Sequence, residues 1–320
     1  MSRPATFVPP SGARAYRLGT ARGEFAVIDA PVAPGTAAKG TVLLLPGYTG
    51  SKEDFIALHE PLAAAGYRTV AVDGRGQYET PGPKDDETPY ALDELARDVI
   101  AQVDALTGAT TNATTNASTN ATGGTSTDSG ADATQNRVHL VGHSLGGLVA
   151  RAAVLLDHTR FRSLTLMSSG PAEISPSQQQ RVKLLRDGLA VMNMAQVWDA
   201  IQALEPPEDA AGQKDLDAGL DDLETLRKRW LLNSPAQLTA TGRQLCTEPD
   251  RVAELAAVPL PVHVLSGERD DTWSPALLDE MAVRLTAHRT VVRGAEHSPN
   301  TDCPLETAAA LAAFWHQLDQ

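Results

Sequence analysis

Val138-His139-Leu140-Val141-Gly142-His143-Ser144-Leu145-Gly146-Gly147-Leu148 runs from a short apolar stretch, through a glycine-flanked serine, into a helical pattern that continues to Leu156. Each part constrains the next. The first four residues read as a buried strand, and the sharp turn after them leaves no room for side chains two positions before and two after the serine. A bare Gly-x-Ser-x-Gly arises by chance in roughly one chain in ten of this length. Strand, pattern and helix together describe a nucleophile elbow, which lifts the serine Oγ above a sheet at a helix N-terminus. Backbone N–H groups and the helix dipole favour developing negative charge at such a place.

Outward from this turn, short apolar runs alternate with helical patterns. Phe25–Ile28, Val42–Leu45, Thr69–Val72, Val138–Val141, Leu164–Met167, Val262–Leu265 and Thr290–Val292 read as strands. Most are continuously apolar, as strands covered on both faces must be. The expected fold class is therefore α/β, a mostly parallel central sheet with helices on both faces. Leu92, Leu95, Val99, Val103 and Leu106 share one helix face, and Thr88-Pro89 before them reads as its N-cap and first residue.

Two segments interrupt the alternation. The 30 residues 107–136 hold ten Thr, six Ala and four Asn but no Leu, Ile, Val or Phe. They cannot bury enough apolar area to offset their ordering entropy, and are expected to form a disordered loop on the sheet edge away from the ligand side. Three Asn-x-Ser/Thr patterns begin there at Asn112, Asn116 and Asn120, read here as a polar repeat. From 171 to 257 helical patterns replace strands: Met194, Val197, Trp198 and Ile201, then Leu223, Leu226 and Trp230, mark apolar helix faces. The expected organisation is a core in two parts, 1–170 and 258–320, with a helical cap over 171–257 inserted between them.

Composition narrows the partners. Of 320 residues, 42% are hydrophobic and 21% charged, and 40 acidic against 27 basic side chains give a net charge of -13. Such a surface repels phosphate backbones, so no nucleic-acid partner is expected. Cys246 and Cys303 lie far apart and outside any metal-binding spacing, so neither a disulfide framework nor a metal or cofactor is anticipated. Residues 1–20 lack the apolar run of a secretory signal, and nothing later approaches a membrane span; a cytoplasmic protein is expected. The oligomeric state stays open.

A serine hydroxyl needs a base, and the base needs an acid. Past Val262–Leu265 comes Ser266-Gly267-Glu268-Arg269-Asp270-Asp271, and past Thr290–Val292 comes Gly294-Ala295-Glu296-His297-Ser298-Pro299. Loops at the carboxyl ends of parallel strands converge on one crevice, where Ser144, an aspartate and His297 could meet. Asp270 and Asp271 both qualify as the acid, and one of them is expected to cap the helix that begins near Pro275. Glu173 is the nearest carboxylate after the preceding strand. The remaining histidines read as structural: His143 as a brace for the turn; His59, His158, His288 and His316 in or beside helices; His139 and His263 within strands. Asp73-Gly74-Arg75-Gly76 ends the strand Thr69–Val72.

These motifs together resemble the α/β-hydrolase family, in particular its capped, actinobacterial esterase-like serine hydrolases. The elbow matches at Ser144, the acid loop at Gly267, Asp270 and Pro275, and the Gly-x-x-His-Ser-Pro turn at His297. The resemblance favours Asp270 over Asp271, and implies a structural turn bordering the pocket at Asp73-Gly74-Arg75-Gly76. It also implies an oxyanion hole made by the backbone N–H groups of Tyr48 and Leu145, in a loop Pro46-Gly47-Tyr48-Thr49-Gly50 where proline stands in place of the usual histidine. The expected function is hydrolysis of a carboxylic ester of a small or medium apolar substrate through an acyl-enzyme. Thioesterase, lactonase, carbon–carbon bond hydrolase and aminopeptidase remain alternatives on the same residues, and a non-catalytic ligand-binding protein is the rival from another class.

Overall fold

The computed structural model describes residues 3–4, 6–108, 137–204, 216–318 and 320, of which 216–222 are described by their backbone alone. Nearly all of the 107–136 repeat, with the loop expected there, lies outside the described residues. Eight strands form one sheet: β1 (Arg14–Thr20), β2 (Gly23–Ala30), β3 (Gly40–Leu45), β4 (Tyr67–Val72), β5 (Val138–His143), β6 (Phe161–Met167), β7 (Val262–Gly267) and β8 (His288–Val292). Their order is β1-β2-β4-β3-β5-β6-β7-β8. β1 and β2 run antiparallel to their neighbours, and the other pairings are parallel.

The pleat explains the largely apolar central strands. Successive side chains of a strand face opposite ways, so both must be apolar when helices cover both faces. Leu43 and Leu45 join the core on one face, beneath α2 (Leu92–Thr107) and α3 (Leu145–Leu156), with α9 (Pro275–Leu285) on the same side. Val42 and Leu44 join the other core, beneath α1 (Ile56–Ala64) and α10 (Pro304–Gln317).

Three expectations need correction. β1 was not anticipated, because in Arg14–Thr20 only Leu18 is buried; an edge strand can stay polar and pair through its backbone alone. His288 opens β8, paired with His263, rather than lying in or beside a helix. Thr88-Pro89 does not start α2: it forms a separate turn of 3₁₀ helix, and α2 begins at Leu92.

Between β6 and β7 the chain leaves the sheet for α4 (Pro176–Leu189), α5 (Met194–Leu204), α6 (Leu216–Leu232), α7 (Pro235–Leu245) and α8 (Val252–Ala256). Val197, Trp198, Leu226, Trp230 and Leu238 form a third buried cluster, with Met194 and Ile201 partly buried against it. The apolar faces expected there do pack on one another, except that Leu223 is exposed. Helix α6 docks on the sheet's loops through Arg229 Nη1, 2.7 Å from Asp54 Oδ1, with neither side chain exposed to solvent. No described helix is long and apolar enough to cross a membrane.

Candidate active site

Ser144 sits between β5 and α3 at φ 54°, ψ −118°. A non-glycine residue in that region costs about 1–3 kcal/mol, so its surroundings must hold it there. The Ser144 N–H donates to the Met167 carbonyl at 2.9 Å, and the Ser144 carbonyl accepts from Gly147 N–H at 2.9 Å. A Cβ on Gly142 would strike the Gly146 carbonyl, and one on Gly146 would strike that of Leu45. The two glycines that frame the serine are therefore demanded by backbone-to-backbone contact.

The loop after β8 brings His297 to this turn. Its Nε2 lies 3.1 Å from Ser144 Oγ, and its Nδ1 lies 3.0 Å from both carboxylate oxygens of Asp270. The side chain of Asp270 is wholly buried and that of His297 partly so. Asp270 Oδ1 also accepts from the N–H groups of Thr272 at 2.8 Å and Trp273 at 3.2 Å, which fixes the carboxylate's orientation. Asp271 points elsewhere: it is exposed, and its Oδ2 accepts from Gln178 Nε2 at 2.6 Å. Neither aspartate caps α9. Ser274 does, its hydroxyl accepting from Leu277 N–H.

The residue before the serine is engaged as well. His143 Nε2 is 2.9 Å from the His297 carbonyl oxygen, and since a carbonyl only accepts, Nε2 carries the proton. Burial pushes the His143 pKa down to about 4, keeping the ring neutral. Chain neighbours Ser144 and His143 thus grip the side chain and the backbone of the same histidine. His59, His139 and His263 each bond a neighbouring hydroxyl, and burial lowers their pKa values to about 4, 3 and 3.

The loop Pro46–Gly50 lies against the elbow: a Cβ on Gly47 would sit 3.2 Å from Ser144 Cβ and from His143 Nδ1. Thr49 turns the loop at φ 61°, and Gly50 N–H donates to the Gly47 carbonyl at 3.1 Å. Leu145 is the first residue of α3, a position whose N–H has no partner within its helix. The Tyr48 hydroxyl donates to the Leu238 carbonyl of α7 at 2.8 Å, tying this loop to the helical excursion.

Reading the sequence missed three residues around the site. Trp273 packs with its ring centre 6.4 Å from that of His297 and donates Nε1 to the Ala172 carbonyl at 3.0 Å. Lys52 is buried among carboxylates, its Nζ 2.7 Å from Glu53, 2.9 Å from Asp73 and 2.7 Å from Glu79. Burial alone would discharge it, but Asp73 and Glu53 hold its pKa above the usual lysine range. Arg229 is the third, and no local pattern marks a lysine or arginine for burial. Among the described residues no group of three or more His, Cys, Asp or Glu is placed to hold a metal ion.

Known proteins place this geometry in context. A protein of Paraburkholderia xenovorans named 2-hydroxy-6-oxononadienedioate/2-hydroxy-6-oxononatrienedioate hydrolase is 28% identical over 239 residues, covering 71% of this chain and 67% of that protein. A Variovorax paradoxus protein provisionally named carbamate hydrolase RutD is 33% identical over 128 residues, but the match spans only 37% of its length and 40% of this chain. Among solved structures, a thermophilic esterase from Thermogutta terrifontis superposes with a TM-score of 0.68 at 19% identity, covering 96% of this chain and 100% of that one. At such identity the likeness speaks for the fold alone. The sequence pattern of the alpha/beta hydrolase family matches residues 42–310, from the first parallel strand into the last helix, and the chain belongs to that family.

Proposed function

We propose that the protein is a serine hydrolase that cleaves a carboxylic ester of a small or medium apolar substrate through an acyl-enzyme. The observation that carries this reading is His297 lying between Ser144 Oγ and Asp270, at 3.1 and 3.0 Å. His297 Nε2 takes the hydroxyl proton as Ser144 attacks the carbonyl carbon, and Asp270 holds the imidazole and stabilises its cation. The N–H groups of Tyr48 and Leu145 receive the oxyanion. The same histidine returns its proton to the leaving alcohol, then activates the water that releases the acid.

In this reading the helices of 171–257 act as the cap. Their apolar cluster, with Tyr48 packed against it, favours an apolar acyl or alcohol group. A reducing, cytoplasmic setting belongs to the same proposal and rests on the free thiols of Cys246 and Cys303. Hydrolysis of a 2-hydroxy-6-oxo dioate, the substrate class in the Paraburkholderia relative's name, is the second reading, favoured by the 71% of this chain that the match covers.

The test combines a fluorophosphonate probe with a screen of esters, thioesters, lactones, amides and 2-hydroxy-6-oxo dioates of graded chain length. Labelling at Ser144 with turnover of p-nitrophenyl butyrate is expected, and Ser144→Ala should cut kcat by about 10⁴- to 10⁶-fold in a folded protein. Turnover of the dioates alone would favour the second reading. Folded protein that fails to label at neutral pH would return the case to a non-catalytic binding protein.

A further inference from the structure

The turn after β4, Asp73–Thr80, faces the Pro46–Gly50 loop. Gln77 in this turn is 5% exposed, and both ends of its side-chain amide are used. Its Oε1 accepts from Gly74 N–H at 3.0 Å, and its Nε2 donates to the Gly47 carbonyl at 2.9 Å. That carbonyl shares a peptide unit with the Tyr48 N–H. In a planar trans peptide the C=O and N–H point in opposite directions, so fixing one aims the other. No described peptide bond is cis.

We propose that Gln77 is a positioning residue of the oxyanion hole, anchoring the Gly47 carbonyl so that the Tyr48 N–H is held toward the developing oxyanion. The inference rests on the hydrolase reading above. Gly50 N–H is the second donor to the same carbonyl, at 3.1 Å, and the two together fill its lone-pair directions. Without Gln77 the peptide keeps one tether within a loop of glycines and can rotate.

Gln77 is itself rigidly held. Its N–H donates to the Gly74 carbonyl at 2.9 Å, and its carbonyl accepts from Thr80 N–H at 2.8 Å. Asp73, which starts the turn, accepts from Lys52 N–H at 2.7 Å, so the two loops are cross-braced beyond the glycines. The far side of the turn reaches the helical excursion: Tyr78 N–H donates to Asn233 Oδ1 at 3.1 Å and Ser234 N–H to the Gly76 carbonyl at 2.8 Å. Gln77 and Leu145 are both buried, and with Pro46 and Gln237 they line a small cavity beside the elbow. In such surroundings a donor already in place need not reorganise when charge develops, which is what makes preorganised donors effective.

Gln77→Glu is the discriminating variant. It preserves shape and still accepts from Gly74 N–H, but at neutral pH it cannot donate to the Gly47 carbonyl. With p-nitrophenyl butyrate, kcat should fall by about 10²-fold, the scale of losing one oxyanion donor, while KM stays near the wild-type value. Affinity for phenylboronic acid, whose serine adduct carries a tetrahedral oxyanion, should fall in parallel. The ratio of variant to wild-type kcat should rise as pH drops from 8 to 5, because the introduced carboxyl group, once protonated, again offers a donor. Gln77→Met removes both bonds and should lose activity at every pH.

A Gln77→Glu protein with unchanged kcat and boronate affinity, beside a wild type that labels and turns over, overturns the inference alone. A rise in KM without loss of kcat does the same, since the bond would then serve ground-state binding. A wild type that neither labels nor hydrolyses overturns the hydrolase reading and this inference with it.

Discussion

His143 Nε2 holds the backbone carbonyl of His297 at 2.9 Å, while the next residue, Ser144, meets the His297 side chain at 3.1 Å. A single strand end therefore sets both the position and the reach of the candidate base. His143→Phe keeps the ring's bulk but removes the donor. We expect kcat to fall about tenfold, equivalent to about 1.4 kcal/mol, with little change in KM. His143→Gln, which still offers a side-chain N–H, should recover part of the loss in the same steady-state assay. Equal activity in all three proteins would remove His143 from the positioning machinery.

Two adjacent carboxylates offer an internal control. Asp270→Asn leaves the shape intact but no longer selects the imidazole tautomer, and kcat should drop by about 10⁴-fold. Asp271→Asn, altering a side chain on the solvent face that touches Gln178, should turn over as the wild type does. The reverse pattern in parallel kinetics would reassign the acid.

The Arg229–Asp54 pair is a stability prediction. Asp54 also accepts from Ser51 N–H at 3.2 Å, and its backbone carbonyl accepts from Asn300 Nδ2 at 2.8 Å, so it joins the loops around the site to α6. Arg229→Met takes away the cation 2.7 Å from a buried carboxylate, and should cost about 3–5 kcal/mol in urea unfolding. The double variant Arg229→Met/Asp54→Leu should recover part of that cost, because the buried carboxylate is removed along with its cation. A single variant as stable as the wild type would show that the pair contributes nothing net.

Acid should weaken the fold well above the range where carboxylates titrate. His59, His139, His143 and His263 are kept neutral by burial, with pKa values near 4, 3, 4 and 3. In the unfolded chain each titrates near 6.5. Below about 6.5 the unfolded state binds protons that the native state refuses, so stability is complete above that value and declines as pH falls toward 4. Each unit of depressed pKa corresponds to about 1.4 kcal/mol. The urea midpoint should hold between pH 7.5 and about 6.5 and drop from there to pH 5, and a flat midpoint across the lower interval would contradict the neutral-histidine account.

What could be read ahead of the fold followed from local patterns. Seven strands were recognisable because most are apolar on both faces, a demand made by helices above and below, while β8 at the sheet edge buries only Val292. β1 escaped notice, since Arg14–Thr20 buries only Leu18 and joins the sheet by backbone bonds to β2. The capping of α9 by Ser274 rather than by an aspartate was equally hidden, because several polar side chains near the helix start could serve and only local geometry selects one.

From the chain alone came the α/β order, the glycine-framed serine, and the order Ser144, Asp270 or Asp271, His297 along it; these depend on residue type and spacing. Tertiary structure decided which aspartate faces the imidazole, that His143 holds the His297 backbone, that Lys52 and Arg229 are buried among carboxylates, and that Gln77 reaches Gly47. Those relationships join residues from separate loops, and a side chain's direction and partners arise only when the sheet has brought its strand ends together.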